Sequence, residues 1–217
     1  MSKIKTVLFD LDGTLIDTAP DMANALNLLL QEEGQLALPF DTIRPVVSNG
    51  SLSLVKLGFG NELEEQRLDY LKQRYLDIYQ QHLCEDSKLF DGMNELLNTI
   101  ESQQKNWGVV TNKPGWLTDP LMEQLGLFER AACIVSGDST KNRKPHPEPM
   151  YHACLAAGSE PAECIYVGDH RRDIEAGNNA GMKTIVALFG YINEEDNIDD
   201  WGADIKIHHP GEITPYL

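Results

Sequence analysis

The chain has 217 residues, 41% of them hydrophobic and 24% charged, with a formal net charge of −16. That length buries a sizeable core, as one domain with an insertion or as two small ones, and the composition is that of a globular protein. The acidic balance argues against nucleic acid and anionic lipid as partners, and it repels an anionic metabolite unless a metal or a local cationic cluster reverses the field.

No apolar run approaches the ~20 residues of a membrane helix. The run in MSKIKTVLFD reaches Asp10 too soon for a signal-peptide core, so a cytoplasmic protein is expected. The four cysteines, Cys84, Cys133, Cys154 and Cys164, show no CxxC spacing and read as buried small hydrophobes in a reducing compartment.

In chain order, Lys5–Asp10 (KTVLFD) is a short apolar run ending in polar residues, the pattern of a strand buried on both faces. Residues 18–84 then carry helical patterns only. Pro20–Gly34 places Met22, Leu26, Leu29 and Leu30 on one face, and Leu63–Leu83 is a longer helix containing Leu68, Leu71, Tyr75, Ile78 and Tyr79. Pro39, Pro45, Gly50, Gly58 and Gly60 between them suit short helices and turns. Beyond residue 85 the patterns alternate. Strands are expected at Trp107–Thr111, Ala132–Ser136, Cys164–Val167, Thr184–Leu188 and Ala203–Ile207. Helices are expected at Gly92–Gln104, Trp116–Leu127, Met150–Gly158 and Asp173–Gly181. This alternation predicts an α/β fold with a parallel sheet covered on both faces and an all-helical insertion after the first strand. The acidic run Asn193–Asp200 reads as a solvated loop.

Ligands of such sheets bind at the carboxyl ends of the strands. Four expected strand ends there are polar: Asp10 and Asp12; Thr111-Asn112-Lys113; the segment Lys141–Pro145 with Lys144; and Asp169 to Asp173. Asp10, Asp12, Asp169 and Asp173 brought together would repel one another. A hard divalent cation with oxygen ligands resolves this, and Mg²⁺ suits one or two carboxylates plus a substrate phosphate. Lys144 adds positive charge, and the Thr111 hydroxyl and Asn112 amide offer neutral donors to phosphate oxygens. A carboxylate attacks phosphorus to give an aspartyl-phosphate. A second carboxyl two residues along faces the same side of an extended segment, protonates the leaving alkoxide and later deprotonates water. Asp10 therefore reads as nucleophile and Asp12 as acid/base, with Gly13 allowing the turn and bringing its N–H to an anion.

Each residue also has a plainer reading. Thr111 would cap a helix, Asn112 form an Asx turn and Asp173 complement a helix dipole. Lys113, Arg171 and Arg172 fit both attraction of an anionic substrate and ordinary surface charge. Asp17 and Thr18 suit the passage into the insertion, and His146, between prolines, a structural role. Ser48-Asn49-Gly50 fits an ordinary turn and a loop that reads the substrate equally well.

DLDGT (Asp10–Thr14), Thr111-Asn112, Lys144-Pro145 and Gly168-Asp169 with Asp173 resemble, in order, the four motifs of the haloacid dehalogenase superfamily. KPHPEP (Lys144–Pro149) and DIEAGNNAGM (Asp173–Met182) resemble its phosphoglycolate-phosphatase-like branch. FDGMNELL, WGVVTNKP and GYI followed by WGAD are similar to the phosphatases of that branch that act on N-acetylmuramic acid 6-phosphate in peptidoglycan recycling. The resemblance implies a Rossmann-like core of residues 1–16 and 85–217 and a small helical cap domain of residues 17–84. It implies Mg²⁺ held by Asp10, the Asp12 carbonyl and Asp169, with Asp173 binding directly or through water. It implies a phosphatase acting on a small phosphorylated metabolite, as a monomer or homodimer. His170 departs from the Ser or Asp of many relatives and reads as a neighbour that orients the ligands. A sugar phosphomutase of the same fold and a phospho-receiver module are the alternatives. A receiver has no helical insertion and carries its aspartate on a later strand.

Overall fold

The computed structural model describes residues 3–193 and 195–217. Glu194, within the run expected as a loop, lies outside them. The chain opens with β1 (Thr6–Phe9) and β2 (Ile16–Asp17), followed by four helices: α1 (Ala19–Glu32), α2 (Phe40–Ile43), α3 (Ser51–Phe59) and α4 (Glu65–Gln81). Next come β3 (Lys88–Leu89), α5 (Met93–Ser102), β4 (Asn106–Val110), α6 (Gly115–Gln124) and β5 (Ile134–Val135). The chain ends through α7 (Glu148–Ala156), β6 (Cys164–Gly168), α8 (Arg171–Ala180), β7 (Lys183–Ala187) and β8 (Ile205–Ile207).

Six strands form one sheet in the order β5-β4-β1-β6-β7-β8, with every pairing parallel. β1 lies between β4 and β6, with Phe9 level with Val109 and Val167. Alternation along the strands builds the core on both faces. Val7, Phe9, Val109, Ile165, Val167 and Ile185 face one layer, which includes Leu96, Leu97 and Ile100 of α5. Leu8, Val110 and Tyr166 face the other, against Met150, Ala153 and Cys154 of α7 and Ala176 and Ala180 of α8. The continuous apolar runs in the sequence reflect this double burial.

The stretch read as helical contains α1 to α4, and α1 and α4 pack on each other. Its buried residues Leu26, Leu29, Leu71, Tyr75 and Tyr79 belong to the same apolar cluster as one face of the sheet. One feature departs from the sequence reading. β2 and β3 pair antiparallel at the two ends of the helical stretch, Ile16 with Leu89 and Asp17 with Lys88. Two-residue strands are too short to show any alternation. The two ends are also joined by Asp21, whose buried carboxylate accepts hydrogen bonds from the amides of Asp86 (2.8 Å) and Ser87 (3.0 Å) and from the Ser87 hydroxyl. All four cysteines are unpaired, and Cys133, Cys154 and Cys164 are buried, as small hydrophobes are.

Candidate active site

Asp10 directly follows β1, Thr111 follows β4 and Asp169 follows β6, so the central three strands deliver them to one edge of the sheet. Asp173 arrives from the first turn of α8. His170 is the N-cap of that helix, its ring Nδ1 accepting from the Arg172 amide, while its own amide donates to Asp173 Oδ2 at 3.0 Å. The dipole-complementing reading of Asp173 therefore holds for one carboxylate oxygen. The other faces the site.

Lys144 sits at the centre with a fully buried side chain. Its Nζ lies 2.8 Å from Asp10 Oδ1 and 2.7 Å from Asp173 Oδ1, and it also meets the Val110 carbonyl and the Tyr166 hydroxyl at 2.9 Å each. Asp10 Oδ1 accepts a second bond from the Leu11 amide at 2.7 Å. Asp169 receives neutral donors only: the Tyr191 amide (2.8 Å), the Ser48 hydroxyl (2.9 Å) and the Thr14 hydroxyl (3.3 Å). Oxygen atoms of Asp10, Asp169 and Asp173 all lie within 4.8 Å of one another, and the three residues are buried. Burial raises the Asp10 pKa, with the Asp173 charge adding to it against Lys144. Burial, then Asp10 and Asp173, push the Asp169 carboxyl up to about 7. Asp10 and Asp169, both raised, lie in a field short of positive charge.

The donor set itself fits a hard cation. The donors are all oxygens, the nearest ammonium contacts two of the three carboxylates, and Asp169 has no cationic partner among its hydrogen bonds. The backbone is shaped around the cluster. A Cβ on Gly13 would lie 2.2 Å from Asp169 Oδ2, one on Gly190 2.3 Å from the Asp169 Cβ, and one on Gly168 2.3 Å from the Asp173 Cβ.

The structure separates Asp12 from this cluster. Its Oδ1 accepts from the Thr18 hydroxyl at 2.7 Å and pairs with Lys113 Nζ at 2.9 Å. Lys113, placed by sequence among substrate-attracting residues, is buried and donates also to the Tyr79 hydroxyl at 2.9 Å. Two expected anion donors are otherwise engaged. The Gly13 N–H donates to the Ile16 carbonyl (3.0 Å), so this glycine serves through its φ of +85° and its close contact with Asp169. The Asn112 amide donates to the Lys144 carbonyl and accepts from the Lys144 N–H, both at 3.1 Å, and so fastens the lysine's backbone. Thr111 is buried, its hydroxyl accepting from the Lys113 amide at 3.1 Å.

Ser48 and Asn49, between α2 and α3 of the helical stretch, reach the site. Besides the Ser48 bond to Asp169, Asn49 Oδ1 lies 3.0 Å from His170 Nε2, and Arg172 donates to the Ser48 carbonyl. Gly50 is the N-cap of α3, with φ of +82° and open space where a Cβ would stand. Since His170 Nδ1 accepts a hydrogen bond from the Arg172 amide, the neutral ring carries its proton on Nε2 and donates it to Asn49 Oδ1. Burial, and then Arg172, hold that ring's pKa down at about 4. Arg171 instead pairs with Glu175 on the surface. Sequence reasoning missed Tyr166, Tyr191 and Tyr79. They are core-like aromatics in apolar patterns, and only the fold turns their hydroxyls and amides toward Lys144, Asp169 and Lys113.

A parallel sheet with this carboxylate–lysine edge agrees with the family model for haloacid dehalogenase-like hydrolases, which matches residues 7–187, and the chain belongs to that family. It is 44% identical over 215 residues to the N-acetylmuramic acid 6-phosphate phosphatase of Pseudomonas putida, covering 99% of this chain and 96% of the relative. It is 40% identical over 206 residues to the phosphoglycolate phosphatase of Xylella fastidiosa, covering 95% of this chain and 90% of that one. The crystal structure of a predicted phosphoglycolate phosphatase from Haemophilus somnus superposes with a TM-score of 0.87 at 28% identity, covering 99% of this chain and 98% of the other.

Proposed function

We propose that this hydrolase is a Mg²⁺-dependent phosphatase of a small phosphomonoester, working through an aspartyl-phosphate on Asp10. The observation that carries the reading is the buried Lys144 ammonium joined to Asp10 and Asp173, with Asp169 beside them. Asp10 Oδ1 is held by Lys144 and the Leu11 amide, which leaves the second oxygen to attack phosphorus as the bond to the leaving oxygen breaks. Asp12 donates a proton to that oxygen, then takes one from the water that cleaves the acyl phosphate, which returns Asp10 as the carboxylate and Asp12 as the acid. Lys144 offsets charge on the nucleophile and the transferring group. Asp10, Asp169, Asp173 and the Asp12 carbonyl would hold the metal, which when bound neutralises the phosphoryl oxygens. The Thr111 hydroxyl supplies a donor to the phosphate.

Identities of 44% and 41% to two N-acetylmuramic acid 6-phosphate phosphatases, against 40% to a phosphoglycolate phosphatase, favour the sugar phosphate as substrate. The helical stretch of residues 17–84 acts as a cap domain over the site. Its Ser48-Asn49-Gly50 turn contacts Asp169 and His170, which supports a role in reading the substrate. The test is turnover of p-nitrophenyl phosphate with Mg²⁺, followed by kcat/KM on the two natural candidates. No turnover, or turnover that survives EDTA, sinks the reading. Asp10→Asn is expected to remove at least ~10³-fold of kcat while the protein stays folded, and wild-type rates in that variant remove the nucleophile assignment.

A further inference from the structure

The helical stretch touches Asp12 from both of its ends. Thr18, immediately before α1, donates its hydroxyl to Asp12 Oδ1 at 2.7 Å. Tyr79, near the end of α4, holds Lys113 by a 2.9 Å hydrogen bond, and Lys113 Nζ meets the same Oδ1 at 2.9 Å. Thr18 and Tyr79 are 61 positions apart in sequence, yet their hydrogen bonds converge on one carboxylate oxygen. Among the described residues no side chain or amide donates to Asp12 Oδ2. Tyr79 is itself fixed. It is buried and stacks on Tyr75 with ring centroids 6.3 Å apart, and the Tyr75 hydroxyl donates to the Met22 carbonyl of α1. Lys113 likewise has little freedom, with 5% of its side chain exposed.

We propose that Tyr79 is a positioning residue for leaving-group protonation. It acts through Lys113 to hold Asp12 Oδ1, so that Oδ2 faces the leaving oxygen. The proposal rests on Asp12 as the proton carrier of the phosphatase reading. The chemical step is unchanged: the phosphorus–oxygen bond breaks, the electron pair goes to the leaving oxygen, and the proton comes from Asp12. Lys113 compensates the carboxylate charge that remains, and the Tyr79 hydroxyl fixes where that compensation sits. On this view Lys113 recognises the acid and not the substrate. A tyrosine of the helical stretch then makes the efficiency of proton transfer depend on how that stretch is seated.

Leaving-group dependence separates positioning from mere structure. p-Nitrophenolate departs as a stable anion and needs little protonation, whereas an alkoxide needs it fully. The experiment compares wild type and Tyr79→Phe on p-nitrophenyl phosphate and on an alkyl phosphomonoester, N-acetylmuramic acid 6-phosphate or phosphoglycolate. Because Asp12 also serves the hydrolysis of the aspartyl-phosphate, a step common to both esters, the readout is kcat/KM, which stops at departure of the leaving group. One hydrogen bond predicts a fall of about tenfold on the alkyl ester and of less than about twofold on the aryl ester. Rates across a series of substituted phenyl phosphates then depend more steeply on leaving-group basicity in the variant. In a Lys113→Met background, adding Tyr79→Phe is expected to change the alkyl-ester rate no further, because the path is already cut. Equal losses of kcat/KM on both ester types overturn the proposal in favour of a structural role, and so do unchanged kcat/KM values on both. Should Lys113→Met not fold, the Tyr79→Phe comparison decides alone. Wild-type protein that turns over neither ester overturns the phosphatase reading as well, whereas an active wild type with a non-selective Tyr79→Phe overturns only the relay.

Discussion

Replacing Lys144 with Met keeps most of the volume and removes the one ammonium that bridges Asp10 and Asp173. The Lys144 side chain is 0% exposed, so no solvent takes over its task. Tyr166 still donates to the Val110 carbonyl at 2.8 Å, so that pair remains satisfied. The carboxylates are left uncompensated. Breaking a buried pair by removing one partner costs about 3–5 kcal/mol. A second estimate follows from proton uptake. Neutralising one aspartate of ordinary pKa at pH 7 takes about 3 units, or ~4 kcal/mol. At 2–4 °C per kcal/mol for a chain of this length, that loss lowers Tm by ~8–16 °C. The acid pKa is raised in the folded variant, so the folded state binds more protons and the variant's stability falls as pH rises. At pH 5 the protonation term shrinks to about 1 unit, ~1.5 kcal/mol, and the gap to wild type narrows accordingly. Thermal melts of both proteins in EDTA at pH 5 and pH 7 measure this. A variant melting within ~2 °C of wild type at pH 7, or a gap that widens on acidification, refutes the claim that the ammonium compensates these acids.

Three further outcomes are expected. In wild-type protein stripped of metal, the Asp169 carboxyl stands at about 7 against an ordinary 3.8. Its folded-state pKa is raised, so stability falls as pH climbs through that window, by up to ~4 kcal/mol for a shift of about 3 units. Differential scanning calorimetry with EDTA and with Mg²⁺ is expected to show this slope only in EDTA, and a Tm unmoved by Mg²⁺ at pH 8 would count against a cation at the three carboxylates. Gly13→Ala forces a Cβ to 2.2 Å from Asp169 Oδ2 at a φ of +85° and is expected to cost at least ~2 kcal/mol and most phosphatase activity. Urea unfolding and p-nitrophenyl phosphate turnover check it. Ser48→Ala removes a hydroxyl donor from Asp169. It is expected to change kcat/KM on the natural substrate by about tenfold with a Tm shift under ~4 °C, read by steady-state kinetics and melts.

Strands β1, β4, β6 and β7 were legible because each is a short, largely buried apolar run, whereas β5 and β8 are shorter and only partly buried, with Lys206 of β8 exposed. Strand ends then gave Asp10, Thr111, Asp169 and Lys144 a common address, because residues that follow parallel strands emerge at one edge. What sequence could not supply was the direction of each side chain. Asn112 read as a phosphate donor or an Asx turn, and Lys113 as attraction for an anionic substrate or as surface charge; in the fold Asn112 clamps the Lys144 backbone and Lys113 pairs with Asp12. Gly13 was correctly a turn residue, but its N–H closes the turn onto Ile16. The tyrosines were invisible as functional groups because a buried Tyr and a buried Phe fill the same place in an apolar period. The β2–β3 pair was unreadable for the opposite reason, having too few residues for any period.

The overall charge of −16 and an anionic substrate are reconciled by where the cations are. Lys144, Lys113, Arg172 and Arg44, four of the chain's 18 Lys and Arg residues, are gathered around this edge. Arg44 donates to the carbonyls of Phe189 and Gly190 and lies 4.9 Å from the centre of the Tyr191 ring, whose residue's amide holds Asp169. Arg172 donates to the Ser48 carbonyl, one residue before Asn49, which pairs with His170. Arg44 and Arg172 thus join the helical stretch to the segment after β7 and to α8, and Lys144 and Lys113 pair with Asp10 and Asp12. Tyr191 adds a third link, its hydroxyl donating to Asp17 at 2.7 Å and accepting from the Ala19 amide at 2.9 Å. Lys113 both compensates a carboxylate and seats the helical stretch, since the ammonium that pairs with Asp12 also donates to the Tyr79 hydroxyl of that stretch. A substitution that loosens the seat of the helical stretch is expected to lower phosphatase activity even where it touches none of Asp10, Asp12, Asp169 and Asp173.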